Sequence, residues 1–357
     1  MSERTLIKGN EAAAWGAIAG GCRQFFGYPI TPQNQIPEFM AEHLIEVGGT
    51  YLQAESELAA INMVYGAAAT GARVMTSSSG PGISLMQEGL SYMVGARLPC
   101  VIINIQRGGP GLGNIGPSQA DYFMATRGAG HGDGSGLTFA PYSVQELHDW
   151  TMKAFEIAER YRTPVTILGD GILGQMQEPC RLAPWDKSPT PLGEPTKRFD
   201  WAVGGSRKGR ERRIINSLHI NLDALEENNH ILFDAYAEAA RNEVVWDEYG
   251  HEEPDLLLCA YGICARVCET VTEWAAESGL KLRLLRPVSL YPFPTAPLQE
   301  WASRVKRIVT VELSMGQLVQ DVRLAVEGRC PVDLVSRTGG CFLTPEEVLE
   351  KVKELSQ

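Results

Sequence analysis

Long apolar runs are missing from this sequence: nothing in it approaches the ~18 consecutive apolar residues that a membrane span needs. The N-terminus, with Ser2, Glu3, Arg4 and Lys8, has no apolar core of the secretory-signal kind, so the reading is a soluble, cytoplasmic protein. Positive charge is also in deficit. With 32 Lys and Arg against 43 Asp and Glu, the formal net charge is -11 and the sequence pI is near 5.2, which argues against nucleic acid as a partner. Cysteine is sparse and irregular: eight residues at 22, 100, 180, 259, 264, 268, 330 and 341 do not make the disulfide scaffold of a small secreted domain. Cys264 and Cys268 stand i, i+4 on an expected helix, but no histidine or further Cys-x-x-Cys completes a metal or cluster site, so they are read as small buried hydrophobes. The six histidines show no H-E-x-x-H spacing, and Ser77-Ser78-Ser79-Gly80-Pro81-Gly82 lacks the glycine pattern of a serine-hydrolase elbow. Metal ligation by this chain is therefore not expected, and internal repeats and low-complexity tracts are also missing.

What is present is the composition of an ordinary globular protein, 44% hydrophobic and 21% charged, over 357 residues, more than one core usually organises. Through 1–175, helical patterns alternate with short apolar runs, the order of a parallel sheet covered by helices on both faces. Strands are expected near 25–28, 51–54, 73–76, 99–105 and 164–168. Asn10 precedes an alanine-rich helix, Thr31-Pro32 reads as a helix N-cap with proline first, and Ser143 with Glu146 reads as a capping box. From 176 to 254 the periodicity weakens. Apart from a helix over 222–241 the stretch reads as linker, and its basic run 207–213, with no aromatic interleaved, reads as a solvated face. A second α/β unit fills 255–357. Its strands are expected at 255–259, 280–285, 307–312 and 332–336, and a capping box at Thr344 and Glu347 opens the last helix.

Open parallel sheets bind ligands beyond the carboxyl ends of their strands, so the strand-to-helix turns are where chemistry is expected. At Gly27-Tyr28-Pro29-Ile30-Thr31-Pro32 two prolines fix φ and remove N–H donors, making a rigid lip. At Gln53-Ala54-Glu55-Ser56-Glu57 two carboxylates stand before the small-residue helix Leu58-Ala59-Ala60-Ile61. Either could be a solvated helix-terminal charge, but Glu57 lies beside apolar residues and is the better candidate to share a proton with a heterocycle. The third turn runs from Gln106-Arg107-Gly108-Gly109-Pro110 to Pro117; Arg107 carries a fork suited to a carboxylate, and the glycines let backbone approach a ligand.

Gly111, Gly113 and Gly116 literally match G-x-G-x-x-G, so a stand-alone NAD-binding oxidoreductase is a rival reading. Pro117 interrupts the helix entry that such a site needs. A non-catalytic scaffold is a second rival. The two Gly-Asp-Gly triplets, at 132–134 and 169–171, lack the asparagine expected roughly thirty residues on in a diphosphate and Mg²⁺ motif, and they read as turns. His131 reads as a loop residue.

Tyr28-Pro29-Ile30-Thr31-Pro32, Ser56-Glu57, Thr76-Ser77-Ser78-Ser79-Gly80-Pro81-Gly82 and Gln106-Arg107-Gly108-Gly109-Pro110 together resemble the α subunit of 2-oxoacid:ferredoxin oxidoreductases. Leu290-Tyr291-Pro292-Phe293-Pro294 and Val311-Glu312-Leu313-Ser314-Met315-Gly316-Gln317 resemble the same family's transketolase C-terminal-like domain, so the resemblance covers nearly the whole chain. Gly27 to Glu38 and Met75 to Ser79 look like the branched-chain (2-ketoisovalerate, 3-methyl-2-oxobutanoate) type. Gly111-Leu112-Gly113 stands where the 2-oxoglutarate branch carries Ser-Thr-Gly.

The resemblance implies a thiamine-diphosphate-type pyrimidine-binding domain with a parallel sheet over 1–175, a partly helical linker over 176–254 and a transketolase C-terminal-like α/β domain over 255–357. It implies that Tyr28, Pro29, Ile30 and Glu57 receive the aminopyrimidine, with Glu57 on ring nitrogen N1′ so that the imino tautomer is favoured. Thr31 would hydrogen-bond the 2-oxoacid and Arg107 would pair with its carboxylate. The implied reaction is oxidative decarboxylation of a 2-oxoacid with coenzyme A to acyl-CoA, CO₂ and reduced ferredoxin. The implied partners are a β subunit carrying the diphosphate and Mg²⁺, γ and ferredoxin-like δ subunits with iron–sulfur clusters, and ferredoxin.

Overall fold

The computed structural model of the protein describes residues 4–185, 199–204 and 212–356; of the basic run, 207–211 lie outside the described residues. In chain order the first half holds β1 (Thr5–Lys8), α1 (Gly9–Ala19), β2 (Gln24–Gly27), α2 (Gln35–His43), β3 (Thr50–Gln53), α3 (Glu57–Ala69), β4 (Val74–Ser78), α4 (Pro81–Gly95), β5 (Cys100–Gln106), α5 (Tyr122–Thr126), β6 (Leu137–Phe139), α6 (Val144–Tyr161), β7 (Pro164–Asp170), α7 (Gly171–Gln175) and β8 (Gln177–Cys180). The second half holds α8 (Leu222–Asn242), β9 (Trp246–Gly250), β10 (Leu256–Cys259), α9 (Gly262–Glu277), β11 (Leu282–Pro287), β12 (Ser289–Tyr291), α10 (Thr295–Ala302), β13 (Arg307–Glu312), α11 (Leu318–Val326), β14 (Val332–Ser336) and α12 (Pro345–Leu355).

Two large sheets and a two-stranded one, β1-β8, organise these elements. The larger runs β12-β6-β7-β5-β4-β2-β3, parallel except for β12; the smaller runs β14-β13-β10-β11-β9, parallel except for β9. Strand β5 explains the layering. Its residues alternate, so Val101, Ile103 and Ile105 pack with α1, α2 and α6, while Cys100 and Ile102 pack with α3 and α4. The smaller sheet is likewise covered on both faces, with Cys264 and Cys268 of α9 buried in one layer and their thiols pushed up by burial.

The stretch expected to be linker supplies elements to both units. Strand β8 pairs antiparallel with β1, α8 buries Leu232, Tyr236 and Ala239, and β9 adds an edge to the smaller sheet before residue 255. Sequence patterning misses β9 because Trp246-Asp247-Glu248-Tyr249-Gly250 has no apolar face to alternate. In return, β12 from the second unit pairs with β6 of the first.

Three local expectations are corrected. Helix α2 begins at Gln35, not after Thr31, because both carbonyls that would open the earlier helix are taken: that of Thr31 by Arg107 Nη1 at 2.9 Å, that of Pro32 by Asn10 Nδ2 at 2.8 Å and Gln175 Nε2 at 2.7 Å. Asn10 is a fully buried member of the first turn of α1, spent on that same lip rather than on a cap. The Gly-Asp-Gly at 169–171 is the end of β7, where Asp170 caps α7 through the Ile172 and Leu173 N–H groups.

Candidate active site

Parallel pairing brings the carboxyl ends of β2, β3, β4 and β5 to one edge, with Gly27 opposite Gln53 and Ser78 opposite Asn104. The three turns singled out in the sequence all leave from this edge. Ser56 adopts extended backbone and its Oγ accepts from Ala59 N at 3.2 Å, so α3 starts at Glu57. The Glu57 side chain is 6% exposed and takes no hydrogen bond or ion pair among the described residues.

The neighbouring turn makes a cradle for it. After β4 the chain turns at Gly80, φ 36°, so that Pro81 can open α4. A Cβ on Gly82 would collide with Ser78 Oγ and would stand 2.5 Å from Glu57 Oε1, so glycine leaves the carboxylate its room. Thr76, Ser78 and Ser79 are buried within the same edge with hydroxyls that have no partner among the described residues.

Beside the cradle stands the lip. Tyr28 is 37% exposed, Pro29 and Thr31 are exposed and Ile30 is half-buried. The lip is held from below by Gln33, fully buried, whose Oε1 accepts from Ser77 Oγ at 2.6 Å and whose Nε2 donates to the Tyr28 carbonyl at 3.3 Å. Thr31 Oγ1 accepts only a long bond from Asn34 Nδ2, at 3.4 Å.

Arg107 closes the third side. It is 8% exposed; Nη1 donates to the Thr31 carbonyl at 2.9 Å, Nη2 to the Leu112 carbonyl at 3.1 Å, and Nε has no partner among the described residues. Two backbone carbonyls thus occupy the fork, and no acidic side chain among the described residues forms an ion pair with it. The loop it opens is tied back on itself: Gly108 N donates to the Gly116 carbonyl and Asn114 N to the Gly108 carbonyl. Asn114 Nδ2 reaches Gly339 of the second unit at 2.8 Å. No helix follows Gly116, since the next begins at Tyr122, so the G-x-G-x-x-G glycines lack the helix N-terminus a pyrophosphate would need.

The residues suit the aminopyrimidine of thiamine diphosphate. A partnerless buried carboxylate beside orphaned hydroxyls suits a heteroaromatic ring that both donates and accepts hydrogen bonds. No group of three or more His, Cys, Asp and Glu that could hold a metal ion occurs among the described residues.

Two residues escaped sequence reasoning. Asn104 and Asp121 meet beneath the site, Asn104 Nδ2 donating to Asp121 Oδ2 at 3.1 Å. Burial pushes the Asp121 carboxyl above its ordinary value, while Asn104, the Gly80 N–H and Arg107 pull it back. Asn104 and Gln106, amides inside the otherwise apolar β5, were the available signal.

Comparison with known proteins gives the family. Residues 15–203 match the family model described as pyruvate flavodoxin/ferredoxin oxidoreductase, thiamine-diphosphate-binding, and residues 254–348 match pyruvate:ferredoxin oxidoreductase core domain II. The chain is 46% identical over 351 residues to the ketoisovalerate oxidoreductase subunit VorB of Methanothermobacter thermautotrophicus, covering 98% of this chain and 97% of that one. It is 37% identical over 361 residues to the 2-oxoglutarate synthase subunit KorA of Archaeoglobus fulgidus, covering 98% and 99%. Among solved structures, the 2-oxoglutarate:ferredoxin oxidoreductase of Magnetococcus marinus superposes with a TM-score of 0.87 at 27% identity, over all of this chain and 66% of that one. A split-gene transketolase superposes at 0.61 with 15% identity, over 98% and 97% of the two chains, a likeness of fold alone. The chain belongs to the 2-oxoacid:ferredoxin oxidoreductase family as an α-type subunit.

Proposed function

We propose that this chain binds the aminopyrimidine of thiamine diphosphate and the 2-oxoacid in a cytoplasmic, multi-subunit 2-oxoacid:ferredoxin oxidoreductase. The reaction is conversion of a branched-chain 2-oxoacid, coenzyme A and oxidised ferredoxin to acyl-CoA, CO₂ and reduced ferredoxin. The observation that carries this is Glu57, buried and without a hydrogen-bond partner among the described residues, its carboxylate set against Gly82, where a Cβ would stand 2.5 Å from Oε1. Bound, thiamine diphosphate supplies the carbon nucleophile and the electron sink that decarboxylation requires.

In this reading Glu57 hydrogen-bonds ring nitrogen N1′ and so holds a proton there, against the lip formed by Tyr28, Pro29 and Ile30. Thr31 Oγ1, held only loosely, orients the oxo group. Arg107 exchanges a carbonyl contact for the carboxylate, a charge-assisted bond being stronger than the neutral one it replaces. The diphosphate and Mg²⁺ belong to a β subunit, the iron–sulfur clusters to γ and δ subunits and to ferredoxin. The exposed apolar rim, Tyr28, Leu58, Leu112 and Ile115, suits coverage by such a partner. Branched-chain preference rests on the VorB-type relatives.

Two measurements test this on the assembled complex. Glu57→Gln should abolish 2-oxoacid-dependent viologen reduction, by ~100-fold or more, while leaving assembly intact; retained activity removes the role given to Glu57. Initial rates should rank 2-oxoisovalerate above pyruvate and 2-oxoglutarate, and the opposite ranking removes the substrate assignment.

A further inference from the structure

The loop that follows Arg107 stands in the open. Strand β5 ends at Gln106 and α5 begins only at Tyr122, and Leu112 and Ile115 are 82% and 63% exposed. Yet Arg107 Nη2 finds the Leu112 carbonyl of this loop at 3.1 Å, so the place of that carbonyl helps to set the place of the guanidinium. One side chain ties the loop. Asn114 N donates to the Gly108 carbonyl at 2.9 Å, its Oδ1 accepts from Gly116 N at 2.9 Å, and its Nδ2 donates to the Gly339 carbonyl at 2.8 Å. The first two bonds close the loop on itself, together with Gly108 N on the Gly116 carbonyl and the bridge between Arg107 and Pro117. Among the described residues, only the bond to Gly339 carries the loop to the second unit.

The second unit is shaped to receive it. Gly339 and Gly340 follow β14 in left-handed backbone, φ 67° and 89°, and their turn lies directly against the loop. A Cβ on Gly340 would stand 2.4 Å from Asn114 Oδ1, one on Gly116 2.6 Å from the Gly340 carbonyl oxygen, and one on Gly108 3.1 Å from Gly340 N. Glycines from both units thus let two stretches of backbone touch, with Asn114 pinned between them. Contact this close admits one position of the loop rather than a range.

The consequence reaches the guanidinium. Arg107 is held by two carbonyls, that of Thr31 on the lip and that of Leu112, which stands two residues before Asn114 in the loop that Asn114 closes. We propose that Asn114 is a positioning residue for the 2-oxoacid: clasped by Gly339 and Gly340 of the second unit, it holds the loop closed, so that the Leu112 carbonyl keeps the Arg107 fork in place for the substrate carboxylate. The second unit thereby takes part in substrate binding without touching the substrate. This rests on the reading in which Arg107 receives that carboxylate.

The test uses Asn114→Asp, Gly340→Ala and the two combined, in the assembled complex. Aspartate still accepts from Gly116 N but cannot donate to the Gly339 carbonyl, and alanine at 340 pushes a methyl group against Asn114 from the other unit. KM for 2-oxoisovalerate and Kd for the unreactive 2-hydroxy-3-methylbutanoate, measured by calorimetry, should each rise ~3–10-fold in either single variant, the effect of about one lost hydrogen bond. Turnover should fall less than ~2-fold, because the lost binding is shared by ground and transition states. The combined variant should be no worse than the poorer single one, since both open the same clasp. Unchanged KM and Kd in Asn114→Asp, a loss in kcat larger than the rise in KM, or effects that multiply in the combined variant overturn the inference. Asn114→Ala, read by the same criteria, replaces a variant that does not assemble. Arg107→Ala should weaken 2-hydroxy-3-methylbutanoate binding at least ~10-fold; if it does not, the assignment of Arg107 itself fails, whatever Asn114 does.

Discussion

Two carboxylates, both buried, show how hydrogen-bonding decides what a residue does. Asp170 is satisfied by the Ile172, Leu173 and Ile263 N–H groups and belongs to the structure; Glu57 has no partner among the described residues and is left for a ligand. Burial outweighs those N–H bonds at Asp170 and pushes its carboxyl up from 3.8 to about 6. A folded-state value above the unfolded one means the folded protein binds this proton more readily. The stabilising contribution of Asp170 is therefore full below about pH 4 and is lost as pH rises through about 6. Its neighbours Tyr261 and Cys264 are pushed well up and stay protonated across that window. Asp170→Asn, which still caps α7, should flatten the pH dependence of unfolding free energy between pH 4 and 7 by up to roughly 3 kcal/mol. Urea melts at several pH values check this; an unchanged slope would show that Asp170 ionises in the folded state as it does in the unfolded chain.

At the scale of elements, the site is made by two helix starts facing each other. Ser56 begins α3 at Glu57, and Gly80-Pro81-Gly82 begins α4 where any larger side chain would enter the space of Glu57 and Ser78. Both helices pack through small and medium residues, Ala60, Ile61, Val64, Met86 and Leu90, so the two starts are held by one core layer. Gly82→Ala should therefore harm the site more than the fold. The atoms it displaces are side-chain ends, and we expect at least a ~10-fold loss of 2-oxoacid-dependent activity with a loss of stability of only ~1–2 kcal/mol. Paired activity assays and thermal melts of the assembled complex decide it, and a variant with full activity would show that the cradle tolerates the methyl group.

For the whole molecule, the second unit is joined to the first through polar anchors as well as apolar contact. Arg286, at the end of β11, is almost fully buried; it donates to both oxygens of Glu146 at the start of α6, at 2.9 and 2.8 Å, reaches Asp247 of β9, and lies 3.8 Å from the Tyr142 ring centroid. Glu146 is thereby drawn from its expected capping box: Oε2 accepts from Tyr142 N, one residue before the cap, while Ser143 Oγ still caps the helix. The carboxylates that Arg286 holds are 22% and 60% exposed, so Arg286→Met loses charge-assisted bonds without stranding a buried charge and should cost ~1–3 kcal/mol, with the seam between the units opening first. Amide exchange at 142–147 and 244–249, faster in the variant than elsewhere in the chain, is the expected readout; uniform exchange would place the weak point elsewhere.

Local grammar carried much of this protein into view. Periodicity and capping residues determined the order of helices and strands, with β13 and β14 legible to the residue because each is a short β-branched run between clear turns. The same grammar placed Thr31, Glu57 and Arg107 at strand ends, because parallel strands deliver their last residues to one edge. Tertiary structure alone decided the rest. A charged edge strand such as β9 has no pattern of its own until β11 pairs with it, and Asp121 has no visible partner until the fold brings it to Asn104. Sequence neighbours set which conformations a segment prefers; only packing sets which polar groups meet, and that meeting is what makes a site.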